Sequence, residues 1–181
     1  MLFRHILAGS LALSALWAGG PAVAGDADIG SAERMLRAIY APYLGAHADE
    51  AAPPDFMRDK KFQENYEASL AALVKEHSVL EDKVGEPLGL ESDIFAHGQD
   101  WDIRKVDVAV HLGAGGHAAA TVSFVSADQP DAVDFDLVWL KGRWRIAELY
   151  WKDQDWSFRQ QLVDDIQEAK SELAHPSKGG D

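Results

Sequence analysis

The chain has 181 residues, no cysteine and a formal net charge of −13. The missing thiols exclude disulfides, thiolate metal sites, iron–sulfur clusters and a cysteine nucleophile. The negative field repels phosphate backbones and anionic lipid headgroups, which argues against nucleic acid and favours cationic partners.

Residues 1–24 read as a cleaved secretory signal. Arg4 and His5 supply a basic start, residues 6–18 an apolar stretch, and Ala22-Val23-Ala24 a small-residue cleavage site after Gly19-Gly20-Pro21. The apolar run is about 13 residues, short of the roughly 20 that span a bilayer. Cleavage after Ala24 predicts a periplasmic chain without membrane insertion, and no cysteine is present to carry a lipid anchor. The remaining stretch of about 155 residues suffices for one core without staples, here a single α+β domain over 25–175 followed by a disordered tail over 176–181.

Ala32, Met35, Leu36, Ile39, Tyr40, Tyr43 and Leu44 fall at three–four spacing, the stripe of an amphipathic helix that Pro42 bends or shortens near its end. Residues 45–59, with Pro53-Pro54, read as a loop. A second helix carries Phe62, Tyr66, Leu70, Leu73 and Val74 and ends before Gly85 and Pro87. The period then changes to two. Val106, Val108, Val110 and Leu112 mark one strand, 113–116 a turn, 118–125 its return, and Val133, Phe135, Leu137 and Trp139 a third strand. Lys141-Gly142 reads as a two-residue hairpin loop with Gly142 at positive φ, leading into a strand over 143–151. A final helix begins near Asp155 to Ser157, with Phe158, Leu162, Ile166, Ala169 and Leu173 as its stripe. Helices first and an antiparallel meander after predict an α+β fold with helices packed on one face of a curved sheet.

The hairpin sets a register. Leu140 lies opposite Arg143, Trp139 opposite Trp144, Leu137 opposite Ile146, Phe135 opposite Glu148 and Val133 opposite Tyr150. Glu148 is then a lone carboxylate on an apolar face, either desolvated and raised in pKa, the setting of many acids and bases, or held for structural reasons near the sheet edge or by an arginine or a tyrosine hydroxyl. Asp134, Asp136, Arg143 and Arg145 share the other face as cross-strand ion pairs of small value. The loop from Ser92 to Asp102 gathers Asp93, His97, Gln99, Asp100, Trp101 and Asp102, a polar group able to line a site or simply to close turns. Its carboxylates lack the alternating oxygen ligands of a calcium loop. His111 and His117 flank the first hairpin turn without a third ligand, so no metal and no cofactor is expected. Phosphate-loop, nucleophile-elbow and zinc-helix motifs are absent.

Four segments together resemble a bacterial envelope family known as domain of unknown function 3828. They are Ile39-Tyr40-Ala41-Pro42-Tyr43-Leu44, Asp93-Ile94-Phe95 with Gln99-Asp100, Gly142-Arg143-Trp144-Arg145-Ile146, and Ser157-Phe158-Arg159-Gln160-Gln161-Leu162. The resemblance implies a nuclear transport factor 2-like (cystatin-like) cone, in which a bent sheet wraps a helix and leaves a pocket at its open end. Members are often lipoproteins, and this chain departs from them in having no cysteine.

The first functional expectation is a non-catalytic exported binding or accessory domain that recognises a periplasmic protein or a small ligand through the sheet face or cone mouth. Its contact residues are Asp93, Gln99, Asp100, Trp101, Trp139, Trp144 and Tyr150, and a homodimer through the sheet is compatible with it. The alternative is a small-molecule isomerase or hydrolase with Glu148 or Asp100 as general base, and Tyr40, Tyr150 or Gln99 as donor. A third class, an inhibitor or immunity protein for a cationic toxin, fits the charge.

Overall fold

The computed structural model describes residues 27–44, 55–90, 92–98, 102–151 and 155–175. The signal segment, the Pro53-Pro54 loop, Gln99, Asp100, Trp101 and the tail lie outside the described residues. Helix α1 (Ile29–Tyr40) starts where the Asp28 carboxylate accepts from the Ser31 amide, and its buried stripe is Ala32, Leu36, Ile39 and Tyr40. The helix stops earlier than its apolar pattern. Pro42 falls in a single 3₁₀ turn, Ala41–Tyr43, that still buries Tyr43.

The second expected helix is two. The short α2 (Lys60–Gln63) is capped by Asp59, and α3 (Ala68–Val84) is capped by Glu67. Between them the chain runs extended beside the sheet, because Ile146 donates to the Asn65 carbonyl and accepts from the Glu67 amide. Tyr66 thus serves the core from an extended segment, at a spacing from Phe62 that mimics a helical turn. Gly85 ends α3 at φ +85, the left-handed conformation suited to glycine.

Five antiparallel strands follow in spatial order: β1 (Ile103–Leu112), β2 (His117–Ser126), β3 (Gln129–Leu140), β4 (Arg143–Trp151) and the two-residue β5 (Trp156–Ser157). Helix α4 (Phe158–Ala174) closes the fold with Ser157 as its N-cap. The inner face of the sheet carries Val110, Ala120, Val122, Phe124, Val133, Phe135, Leu137, Trp144, Ile146 and Leu149, all buried in one cluster with α1, α3 and the start of α4. A smaller cluster, Leu80, Ile166 and Ala169, joins α3 to α4. Leu173, expected on the α4 stripe, is exposed. The α+β architecture with helices on one face of an antiparallel meander is therefore present. No helix among the described residues is long and apolar enough to cross a membrane.

The β3–β4 turn is tight, with Lys141 at φ 51 and Gly142 at φ 80, the conformation whose twist suits a two-residue hairpin. The expected register holds from Leu140–Arg143 to Leu137–Ile146 and then shifts. An extra residue at Ala147 sets Asp136 against Glu148, Phe135 against Leu149, Asp134 against Tyr150 and Val133 against Trp151. Such a bulge moves every later side chain to the other face. Glu148 and Tyr150 thus leave the apolar face assigned to them, and Leu149 takes the core position.

Candidate functional site

Glu148 is buried, yet on the side of Asp136 and Tyr150 rather than facing Phe135. Its Oε1 accepts from the Leu149 amide at 2.9 Å and the Arg159 amide at 3.1 Å, and its Oε2 accepts from the Ser157 hydroxyl at 3.0 Å. The Ser157 Oγ in turn accepts from the Gln160 amide. Glu148 and Ser157 together satisfy orphan N–H groups at the start of α4, where the helix dipole favours negative charge. The Arg159 guanidinium lies 3.8 Å from Oε2 and donates to the Ala147 carbonyl at the bulge. This carboxylate pins a strand bulge to a helix start, and its acceptor sites are spent on that task.

Asp93 is the second carboxylate whose role the structure defines. Its Oδ1 accepts from the Phe95 and Ala96 amides, its Oδ2 accepts from the Tyr43 hydroxyl at 2.7 Å, and its own amide donates to the Gly98 carbonyl. Residues 93–98 thereby form a closed turn fastened to the end of the α1 segment, with Ile94 and Phe95 plugged into the core. His97, at φ 54, places Nδ1 2.9 Å from Asp131 and its ring 4.3 Å from Trp151. Trp151 stacks in turn on Trp156 at 4.1 Å and donates to the Ile94 carbonyl.

Burial pushes the Asp93 carboxyl above its ordinary value of 3.8, against the lowering influence of Tyr43 and the two amides. The same burial, reinforced by the Asp93 charge, raises the Tyr40, Tyr43 and Tyr66 phenols and keeps them protonated. With its pKa raised on folding, Asp93 binds its proton more tightly in the native state than in the unfolded chain. Its contribution to stability is then greatest below pH 3.8 and falls as pH climbs from there through its folded value. Asp93→Asn is expected to flatten this part of the pH profile, with urea titrations across the acidic range as the measurement. An unchanged slope counts against it.

The remaining expected contacts separate. Trp144 is a core residue whose indole N–H reaches Ser31 Oγ and the Asp28 carbonyl, holding the start of α1, and half-buried Trp139 packs edge-on at 5.4 Å. Tyr150 is exposed and donates to Asp136 at 2.9 Å; burial and then that bond push its phenol up to about 12. The expected ion pairs of Arg143 and Arg145 with Asp134 and Asp136 do not form. Arg143 pairs with Glu64, Arg145 donates to the Glu64 carbonyl, and Asp134 accepts from Thr121. The helices pack on the other side of the sheet, and among the described residues no element covers its outer face. Lys105, Asp107, Ala109, His111, Ala119, Ser123 and Asp136 are exposed there. A depression of about 370 Å³ lies on it between Lys105, Asp107, Ser123, Val125, Pro130 and Ala132.

Sequence reasoning missed a buried polar pair. His77 Nε2 stands 3.1 Å from Asp165 Oδ2 and 3.0 Å from the Leu88 carbonyl, and Gln161 donates to Asp165 Oδ1 at 2.7 Å. The signal was available, because His77 falls on the α3 stripe of Leu70, Val74 and Leu80, and Asp165 on the α4 stripe of Leu162, Ile166 and Ala169. Among the described residues, no group of three or more His, Asp or Glu side chains is arranged to hold a metal ion.

No family model matches the chain. No curated protein matches it either. Among solved structures it is similar to a chain in the crystal structure of the type VI native effector–immunity complex Tae3–Tai3 from Ralstonia pickettii. The identity is 22% and the TM-score 0.46, over 68% of this chain and 97% of that chain.

Proposed function

We propose that this protein is a non-catalytic, exported binding domain that recognises a basic protein partner through the outer face of β1–β4. One observation carries the reading. The β1–β3 part of a sheet face, with the small and acidic side chains Asp107, Ala109, Ala119, Ser123, Asp134 and Asp136, lies on the side away from the helices, bordered by Lys105 on β1 and by Arg143 and Arg145 on β4, both of which reach Glu64. By contrast, the carboxylates with the burial expected of a general base, Glu148, Asp93 and Asp165, are engaged in holding loops and helix ends. Side chains this small let a partner backbone approach closely, and a net charge of −13 attracts a cationic surface and speeds encounter. Export rests on the signal pattern of residues 1–24, and the helices on one face of a meander are compatible with a nuclear transport factor 2-like cone.

The test is affinity capture from an envelope extract with the native chain and with Asp134→Lys/Asp136→Lys, followed by titration of the recovered protein. Asp136 is exposed and bonds to exposed Tyr150, and Asp134 bonds locally to Thr121, so the variant is expected to keep its fold, with circular dichroism as the check. We expect roughly tenfold or greater loss of affinity, mostly in the association rate and steeper at low salt. Equal capture by both chains overturns the outer face as the binding surface.

A further inference from the structure

Strand β1 is the edge of the sheet, and among the described residues few contacts reach its outer side. Leu44 bridges it at Ile103, and the Arg37 guanidinium reaches the Val106 carbonyl at 3.2 Å. The Gly113 amide donates to the His117 carbonyl at 2.8 Å, which fixes the alternation along the strand. Odd-numbered residues turn their backbone groups toward β2, and Val106, Val108, Val110 and Leu112 turn theirs outward. The contact from Arg37 to Val106 arrives from that outer side, as the alternation requires.

Long open edges are usually blunted by proline, bulges or unpaired charge. Here the β1 irregularity lies at Ile103/Lys105, ahead of the open stretch. The charges Lys105 and Asp107 neutralise one another at 2.8 Å. Residues 103–112 hold no proline, and Leu112 is 48% exposed at the far end.

The sequence along this edge is close to a palindrome about Ala109: Val106-Asp107-Val108-Ala109-Val110-His111-Leu112. Laid antiparallel against itself about Ala109, it matches at every position. On the outer side Asp107 meets His111 of the other copy, twice, and Ala109 meets Ala109. On the inner side Val108 meets Val110, and half-buried Val106 covers exposed Leu112. The centre is a non-hydrogen-bonded pair, the closest kind at about 4.5 Å between Cα atoms, and alanine fits it without strain. Apart from the Val106 carbonyl held by Arg37, the outward backbone groups of the four even-numbered residues then pair across the seam, about six hydrogen bonds over roughly 24 Å.

We propose that two copies of this chain join antiparallel through their β1 edges, centred on Ala109, into one continuous sheet. The occupant is a second copy, because the complementarity is between the strand and itself, in apolar contact and in charge. The seam takes Asp107 and Ala109 from the rim of the outer face and leaves its β2–β3 part, with Asp134 and Asp136, free in each copy, so the Asp134/Asp136 test above and the Ala109 test below fail independently.

Light scattering and sedimentation of the purified chain over a range of concentrations provide the test. A concentration-dependent dimer is expected. Ala109→Glu sets two carboxylates against each other at the centre and should raise the dissociation constant roughly tenfold or more. Asp107→His alone should weaken the dimer, whereas Asp107→His with His111→Asp preserves the pairing and should restore it. Ala109, Asp107 and His111 are exposed, and circular dichroism checks that each variant is folded. Asp107→Lys carries the test if Ala109→Glu does not fold. A monomer at every concentration overturns the proposal, and so does a dimer whose dissociation constant is unchanged by Ala109→Glu.

Discussion

Replacing Glu148 by alanine is expected to destabilise the protein by about 3 kcal/mol, a fall in Tm of roughly 6–12 °C for a domain of this size. The side chain receives two backbone amides and one hydroxyl in a buried setting. Truncation leaves those donors without an acceptor, and orphaned buried donors cost about 1–3 kcal/mol each, partly recovered by relaxation at the helix end. Glu148→Gln keeps an oxygen for the two amides and loses the charge at the helix terminus, so a smaller cost of about 1 kcal/mol is expected. Thermal and urea unfolding of the two variants supply the measurement. The ordering discriminates between functions as well. A general base replaced by its amide loses activity and keeps stability, whereas a structural carboxylate loses stability in proportion to the donors it abandons. Alanine and glutamine variants as stable as the native chain would remove the structural assignment.

The misplacement of Glu148 in the sequence reading has a physical source. Alternation places Trp144 and Ile146 on one face, and the next large apolar residue is Leu149, three positions on rather than two. That odd step is the mark of a bulge, and it was legible. It was obscured because Tyr150 also counts as apolar and keeps the uninterrupted phase. The hairpin loop itself was readable, since Lys141-Gly142 between two alternating runs leaves few alternatives. The strand beyond it depended on the segment Asn65 to Glu67, which borders β4 at Ile146, and no local pattern encodes a partner 80 residues away.

The same contrast holds for the helices and the acidic loop. The stripes of α1 and α4 were readable from spacing, because burial on one face imposes period 3.6 on whatever residues are used. The break between α2 and α3 was not, since Phe62, Tyr66 and Leu70 keep helical spacing through a segment that is extended. In the loop, Asp93 stood out as a carboxylate, but its partner Tyr43 lies fifty positions earlier. Composition announced a polar cluster. Only the fold separates a carboxylate that holds a loop from one that waits for a ligand.

Gly89→Ala is expected to be at least as damaging as the loss of Glu148, by about 3 kcal/mol or more. Gly89 sits at φ +60, and a Cβ there would overlap the carboxyl group of Asp165. The left-handed conformation alone costs an alanine about 1 kcal/mol. The larger cost is the displacement of Asp165, which must withdraw from His77 and Gln161. His77 is almost wholly buried, so it would be left with one acceptor, the Leu88 carbonyl, on the loop that the new methyl group pushes away. Gly85 is the internal control. It has φ +85 and nothing within 4 Å of the added methyl, so Gly85→Ala should cost only the conformational part, about 1 kcal/mol. The difference between the two variants, read from urea unfolding, isolates the steric contribution of the Asp165 contact. In the double variant Gly89→Ala/Asp165→Ala the clash is gone, so the two changes should cost less together than the sum of their separate effects. Strict additivity would mean that the methyl group and the carboxylate do not meet, and that the 86–90 loop is held against α4 by something other than this pair.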